Sequence, residues 1–85
     1  MKEMKYVIND ELGIHARPAG MLVKEASKFP CKITVTKDGK EADAKKLFAI
    51  MGLAVKCGNE IVLKADGEQE NEAMEAMEKF LKENL

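Results

Sequence analysis

The stretch Lys32-Ile-Thr-Val-Thr-Lys-Asp-Gly-Lys-Glu-Ala-Asp43 predicts a β-hairpin and gives the first indication of the fold. Polar and apolar residues alternate over its first half, so Ile33 and Val35 point to the same face of a strand. The dipeptide Asp38-Gly39 follows, and Asp-Gly between two strand-like segments is the strongest short-range hairpin signal. The four residues after this turn are therefore expected to form the return strand.

Segments on both sides of the hairpin show strand or helix patterns. Apolar residues recur at helical spacing in a first helix that begins at Ala16, carries Pro18 in its first turn and should stop at Pro30. The last helix is the clearest, because its apolar stripe is separated from its glutamates. Such helices cannot bury an apolar face alone, so they are expected to cover one face of the sheet. The predicted elements are strands at 4–8, 32–37, 40–43 and 60–65, and helices from Ala16, within 46–55 and along the stripe 73–81.

Length and composition bound the class of protein. A chain of 85 residues predicts a single domain, 1–85. A hydrophobic fraction of 46% with 34% charged residues is typical of a compact domain rather than a disordered chain. No apolar run approaches the roughly 20 residues of a membrane span, and residues 1–5 lack the features of a signal peptide. We therefore expect a cytoplasmic protein without membrane insertion.

Charge is distributed unevenly along the chain. The net charge of −1 argues against a dedicated nucleic-acid-binding protein. Residues 1–65 hold twelve basic and eight acidic residues, a balance of +4, whereas residues 66–85 hold two and seven, a balance of −5. This split either steers an acidic protein partner to the basic part or reflects ordinary solvated faces.

The two cysteines, Cys31 and Cys57, do not form a C-x-x-C pair, and the single histidine, His15, has no second histidine near it. A zinc site is therefore not expected, and the cysteines are interpreted as free thiols. Cys31 is expected to be half-buried at the start of a strand, and Cys57 to lie in a turn beside Gly58.

The string Gly13-Ile-His-Ala-Arg-Pro-Ala-Gly20 carries the chemistry of the chain. His15 stands at a helix start, where free backbone N–H groups and the helix dipole favour a bound anion such as phosphate. Arg17 adds a permanent cation with a geometry suited to phosphate oxygens. A neutral imidazole is a nucleophile at physiological pH. These features predict phosphoryl transfer onto His15, and the alternative is a surface histidine acting as a poor N-cap.

This string resembles the active-site signature of the HPr family, the histidine-containing phosphocarriers of the bacterial phosphoenolpyruvate:sugar phosphotransferase system. The resemblance covers essentially the whole chain. It extends through Ala26-Ser27-Lys28, Asp38-Gly39-Lys40, Ala44-Lys45, the helix Leu47–Leu53, Gly58 and the acidic last helix. It implies an α+β fold, an open-faced β-sandwich in which a four-stranded antiparallel sheet carries three helices on one face, in the order β-α-β-β-α-β-α.

The resemblance also implies a role for each residue of the signature. His15 would accept a phosphoryl group on Nδ1 from phosphorylated enzyme I and pass it to a sugar-specific enzyme IIA domain. Arg17 would stabilise the transferring group, the backbone N–H groups of Ala16 and Arg17 would hold its oxygens, and Pro18 would shape the first helical turn. The protein would then be a monomeric carrier rather than an enzyme, without a metal or an organic cofactor.

The family's docking surface for these partners is an apolar patch ringed by basic groups. Core packing is the alternative for the apolar residues, and it stays fully open for Leu47 and Phe48. The implied patch comprises Met21, Leu47, Phe48 and Met51, and the implied rim comprises Lys24, Lys28 and Lys45.

Some positions depart from the family pattern. Gram-positive members carry a regulatory serine just before the short second helix, and Lys46 occupies that position here. Lysine has no hydroxyl to phosphorylate, is a poor N-cap and adds a cation at the positive end of a helix, so this regulation is predicted to be absent. Asp43 is the alternative cap for that helix. Ala54 replaces a glycine common in the family, and Gly20 lies inside the first helix at a cost of about 1 kcal/mol relative to alanine.

Two alternatives to a sugar-transport phosphocarrier remain at this point. One is a specialised phosphorelay paralogue that serves a regulatory branch, and Lys46 moves some weight towards it. The other is an adaptor that docks regulators without phosphoryl transfer. The presence of both His15 and Arg17 favours the two relay hypotheses over the adaptor.

Overall fold

The computed structural model describes all 85 residues, Met1–Leu85, and its elements follow the predicted order β-α-β-β-α-β-α. The elements are β1 (Lys2–Val7), α1 (Ala16–Ala26), β2 (Lys32–Lys37), β3 (Lys40–Asp43), α2 (Leu47–Gly52), β4 (Glu60–Asp66) and α3 (Glu70–Asn84). None of the helices is both long enough and apolar enough to cross a membrane.

The four strands form one antiparallel sheet in the order β1-β4-β2-β3. Val35 in β2 lies opposite Leu63 of β4 on one side and Ala42 of β3 on the other. All three are buried, because alternate residues of each strand face the helices. Leu22 of α1 and Met77 of α3 pack into the same core. The fold is therefore the open-faced α+β sandwich that the resemblance implied.

The turn between β2 and β3 has the geometry that its sequence predicts. Asp38 has φ 50° and Gly39 has φ 80°, so both central residues are left-handed. Two such residues give a turn whose twist matches that of the flanking strands. The register places Lys37 directly opposite Lys40 across the turn, which confirms the predicted hairpin.

Several element boundaries differ from the sequence prediction. β1 runs from Lys2 to Val7 rather than over 4–8, and Ile8 leaves the ladder although its N–H still donates to the Asn59 carbonyl at 3.0 Å. α1 ends at Ala26, four residues before Pro30, and the chain tightens there: the Lys28 N–H donates to the Glu25 carbonyl and the Phe29 N–H to the Ala26 carbonyl, both at 3.2 Å.

The second helix is shorter than the segment 46–55 that was predicted to contain it. α2 covers only Leu47–Gly52, and Ala54 beyond it has a φ of 52°. A left-handed residue at this place ends a helix. β4 extends one residue beyond its predicted end to Asp66, and α3 begins at Glu70 after Gln69, which has a φ of 61°.

The two cysteines are free thiols in different surroundings. Cys31 is 2% exposed and belongs to the core, so the expectation of a half-buried side chain was wrong. It precedes β2 and lies beside the turn at Gly67, where an added β-carbon would be 3.4 Å from the Cys31 β-carbon. Cys57 is exposed in a turn, and its thiol lies 3.7 Å from the Asn9 carbonyl.

Candidate functional site

His15 is the N-cap residue of α1. Its backbone is extended, with φ −105° and ψ −175°, and its carbonyl accepts the Ala19 N–H at 2.9 Å, which closes the first helical turn. The imidazole makes no hydrogen bond to the helix and is partly exposed. The ring is therefore accessible and is not used to stabilise its own helix.

The first turn of α1 presents backbone donors without an acceptor. The N–H groups of Ala16 and Arg17 donate to no group of the protein, and Pro18 has no N–H. The turn contains no acidic residue, and the exposed Arg17 guanidinium forms no ion pair. Positive charge at this helix end is thus unopposed within the turn, which is the arrangement that binds anions.

The imidazole lies in a shallow depression of about 220 Å³ on the protein surface. Two of its walls come from residues that the sequence did not identify, Asp10 and Asn84. Asp10 precedes the signature by three residues. One of its carboxylate oxygens accepts the Leu12 N–H at 2.9 Å and so holds the loop before His15. Asn84 comes from the far end of the chain. The complete lining is Asp10, His15, Arg17, Pro18, Met21 and Asn84.

The loop before His15 is fixed against the segment that follows α2. The Ile14 N–H donates to the Val55 carbonyl at 3.0 Å, and Ile14 and Val55 are both buried. Gly13 has φ 68° and lies so close that a β-carbon there would be 2.2 Å from the Val55 carbonyl oxygen. Glycine is therefore required at this position both by conformation and by space. The contact determines where the chain enters α1 and thus where His15 stands.

The residues of the implied docking patch come from two helices, α1 and α2. On α2, the side chains of Phe48, which is 85% exposed, and of Met51 both face the solvent. Leu47 is partly buried against the core. Met21 is exposed on α1 and, with Lys24 and Lys28, lines a groove between α1 and α3. Core packing was left open for Leu47 and Phe48. Leu47 does pack partly against the core, and Phe48 does not.

The basic residues of the implied rim also differ in their partners. The Lys45 ammonium donates to the Phe29 carbonyl at 2.7 Å and so ties the chain before α2 to the turns that follow α1. Lys28 pairs with Glu25 at 3.1 Å on the surface of α1. Lys24 is exposed and pairs with no acidic side chain, and the same holds for Lys46, which is not one of the implied rim residues. These last two lysines are the cations free to meet a partner.

Lys46 is the N-cap residue of α2, and its side chain makes no capping bond. The alternative cap, Asp43, does not reach the helix. Its carboxylate accepts the Lys45 N–H at 2.9 Å and its carbonyl accepts the Lys46 N–H at 3.0 Å, which makes a turn before the helix rather than a cap. The positive end of α2 therefore carries a lysine with no acidic residue in the first turn.

The structure brings together no group of three or more His, Cys, Asp or Glu side chains that could hold a metal ion. The site consists of one nucleophile, two free backbone donors and one guanidinium within three consecutive residues, 15–17. This set can accept, hold and release a phosphoryl group.

Known proteins are similar to this chain in sequence and in fold. The chain matches the family model described as "PTS HPr component phosphorylation site" over residues 2–83. The phosphocarrier protein HPr of Lysinibacillus sphaericus is 42% identical over 83 residues, which cover 98% of this chain and 94% of that protein.

Solved structures agree with this result. The histidine-containing phosphocarrier protein of Mycoplasma is 36% identical, with a TM-score of 0.94 over 96% of this chain and 93% of the other. Crh of Bacillus subtilis, described as a catabolite-repression protein forming a dimer with a swapped domain, is 38% identical, with a TM-score of 0.78 over 100% of this chain and 98% of the other. Since sequence and fold are matched over nearly the full length, the chain belongs to the HPr family of phosphocarrier proteins.

Proposed function

We propose that this chain is a cytoplasmic carrier that accepts a phosphoryl group on His15 from phosphorylated enzyme I and passes it to sugar-specific enzyme IIA domains. The observation that carries the proposal is the start of α1, where an accessible imidazole stands beside two backbone N–H groups without acceptors. A surface histidine that served only as a cap would use its side chain for that purpose, and His15 does not.

The transfer step is a substitution at phosphorus. The lone pair of a His15 ring nitrogen, Nδ1 by analogy with the family, attacks the phosphorus as the bond between phosphorus and the donor's leaving atom breaks. The phosphoryl oxygens then lie towards the N–H groups of Ala16 and Arg17, and the Arg17 guanidinium offsets their charge. The same step in the opposite direction delivers the group to the next acceptor. The carrier is itself the acceptor in the first transfer and the donor in the second, which is why it is a relay and not an enzyme with its own turnover.

Docking is proposed to use the exposed apolar side chain of Met21, which lines the depression around His15, together with those of Phe48 and Met51 on α2. Lys24 and Lys46 supply free positive charge around them, so the surface fits acidic partners. Lys28 and Lys45 contribute less charge, because each already bonds another group of the chain. A carrier that exchanges partners quickly suits a small interface of this kind.

Regulation by a serine kinase at the start of α2 is proposed to be absent, because Lys46 has no hydroxyl. This difference, together with the full-length similarity to Crh, favours a second candidate function. The chain would then relay phosphoryl groups in a regulatory branch rather than in sugar transport. Both candidates use His15 in the same way and differ in the acceptor.

A monomer is proposed, since a relay must expose His15 to two partners in turn. Crh shows that a relative of this length forms a dimer. Light scattering coupled to size-exclusion chromatography at several protein concentrations distinguishes the two. A mass of one chain, about 9.4 kDa, is expected, and a stable mass of twice that value would contradict the proposal.

Intact-mass spectrometry tests the transfer itself. The protein is mixed with phosphoenolpyruvate, magnesium and a bacterial enzyme I, and one added phosphoryl group is expected that is labile in acid and stable in alkali. His15→Ala should gain no mass while its circular dichroism spectrum stays unchanged. No gain by the wild type with its host's own enzyme I would refute the relay and favour an adaptor that acts without phosphorylation. Incubation of the phosphorylated protein with enzyme IIA domains then separates transport from the regulatory branch.

A further inference from the structure

The side chain of Lys37, at the end of β2, reaches across to the end of α2. Its ammonium donates to the Leu53 carbonyl at 3.2 Å and to the Ala54 carbonyl at 2.9 Å. We propose that Lys37 is a positioning residue for His15, acting through the segment after α2. This role rests on the proposed function, because positioning matters only if His15 is the acceptor.

Lys37 stabilises a turn at Ala54 whose backbone conformation is unfavourable for a residue with a β-carbon. Ala54 has a φ of 52°, and an L-residue with a β-carbon pays a conformational penalty in this region. The carbonyls at a helix end lack intrahelical partners and carry partial negative charge, so an ammonium group there is favourable. The two hydrogen bonds from Lys37 therefore stabilise the left-handed conformation of Ala54.

The residue after this turn is the support for the active-site loop. The Val55 carbonyl accepts the Ile14 N–H at 3.0 Å, and Gly13 packs directly against the same carbonyl. Ile14 is bonded to His15. A change in the turn at Ala54 would move the Val55 carbonyl, and with it the point from which His15 projects. Group transfer is sensitive to shifts of this kind, since the attacking atom must be held in line with the phosphorus.

Lys40 provides a matched control for the charge of Lys37. It lies directly opposite Lys37 across the hairpin, is exposed, and forms no side-chain hydrogen bond or ion pair. Lys37→Met and Lys40→Met remove the same charge from the same hairpin. Only the first removes the contact with the end of α2.

The experiment compares these variants in the full-length protein by two measurements. In Lys37→Met, which loses both hydrogen bonds to the turn before Val55, hydrogen exchange of the Ile14 amide should rise roughly three- to tenfold. The rate of phosphoryl transfer from enzyme I at saturating donor should fall by a similar factor with KM unchanged. Lys40→Met should leave the exchange and the saturated rate as in the wild type.

Two further variants separate positioning from a general loss of stability. Lys37→Arg keeps a donor for both carbonyls and should retain wild-type transfer. Ala54→Gly, added to Lys37→Met, should restore both the Ile14 exchange rate and the saturated transfer rate, because glycine adopts a positive φ without the hydrogen bonds from Lys37.

Two results would overturn the role of Lys37. The first is an unchanged Ile14 exchange rate. The second is an unchanged saturated rate, and if KM alone changed, Lys37 would act by its charge on the partner. A wild-type protein that accepts no phosphoryl group would refute the proposed function as well, whereas normal wild-type transfer with unaffected variants refutes Lys37 alone.

Discussion

α1 and α2 begin alike but differ in what stands at their first residues. His15 and Lys46 both have extended backbones, neither side chain caps its helix, and neither helix has an acidic residue in its first turn. An uncapped helix start costs about 1 kcal/mol relative to one with serine, threonine, aspartate or asparagine at the N-cap. Both ends therefore give up stability that a common substitution would recover.

The use of that end differs between the two helices. At α1 the N-cap side chain is the proposed phosphoryl acceptor, and Arg17 is the cation proposed to offset the charge of the phosphoryl group. At α2 the N-cap side chain is itself a cation, and Phe48, 85% exposed, follows two residues later. One uncapped start is suited to phosphate chemistry and the other to contact with a protein surface. Local rules of helix stability are broken where function is expected.

The largest expected difference between the two helix starts is the effect of Arg17→Ala on phosphoryl transfer compared with that of Lys46→Ala. Arg17→Ala should lower the saturated rate of phosphoryl transfer roughly a hundredfold, because a charged donor to the transferring group is lost. Lys46→Ala removes the same charge from the other helix start and should alter mainly KM, by roughly two- to fivefold. Steady-state transfer from enzyme I measures both. Equal losses in the saturated rate would show that only total charge matters.

Gly13→Ala tests whether the start of α1 depends on the loop that leads into it. The new β-carbon would lie 2.2 Å from the Val55 carbonyl oxygen and would require a φ of 68°. We expect a loss of about 3 kcal/mol in the free energy of unfolding, since neither the backbone nor the residue can shift cheaply. Urea denaturation measures it. Gly52→Ala, where no atom lies near the added carbon and the glycine is helical, is the control and should not lower stability.

Features encoded by neighbouring residues could be predicted from the sequence. The hairpin follows from Asp38-Gly39, because both residues adopt positive φ at low cost. The position of His15 at a helix start follows from the same kind of local signal, together with Pro18 in the first turn. The buried face of the sheet follows from the alternation of Ile33 and Val35.

Features created by distant contacts could not be predicted. No local signal shows that the Lys45 ammonium bonds the Phe29 carbonyl, or that Asn84 lines the depression around His15. No local signal shows either that Met21 borders both the depression around His15 and the groove between α1 and α3. Side-chain reach and helix rotation are tertiary properties, and composition or periodicity does not contain them.

Replacing Lys46 by a capping residue measures how much stability the uncapped start of α2 costs. Lys46→Asn supplies a neutral N-cap and should raise the free energy of unfolding by about 1 kcal/mol. Lys46→Asp should raise it slightly more, because a carboxylate also interacts favourably with the positive helix end. Urea denaturation of both proteins measures these gains. Transfer should distinguish them too, since an acidic residue at this point repels an acidic partner and raises KM. Unchanged stability in both variants would mean that α2 begins differently from the structure described.

The smallest expected effect concerns Gly20, which lies in the interior of α1. A β-carbon at Gly20 would meet no atom within 4 Å, so Gly20→Ala removes backbone freedom from the unfolded chain without a steric cost. The free energy of unfolding should rise by about 0.5–1 kcal/mol. Gly39→Ala is the matched control: its added carbon is equally unobstructed, but its φ is 80°, so stability should fall by about 1 kcal/mol. If both variants changed stability in the same direction, free space rather than backbone conformation would govern glycine in this fold. If Gly20→Ala stabilised the protein but slowed transfer, the glycine would be retained for partner approach, and the stability given up at the start of α1 would extend into its second turn.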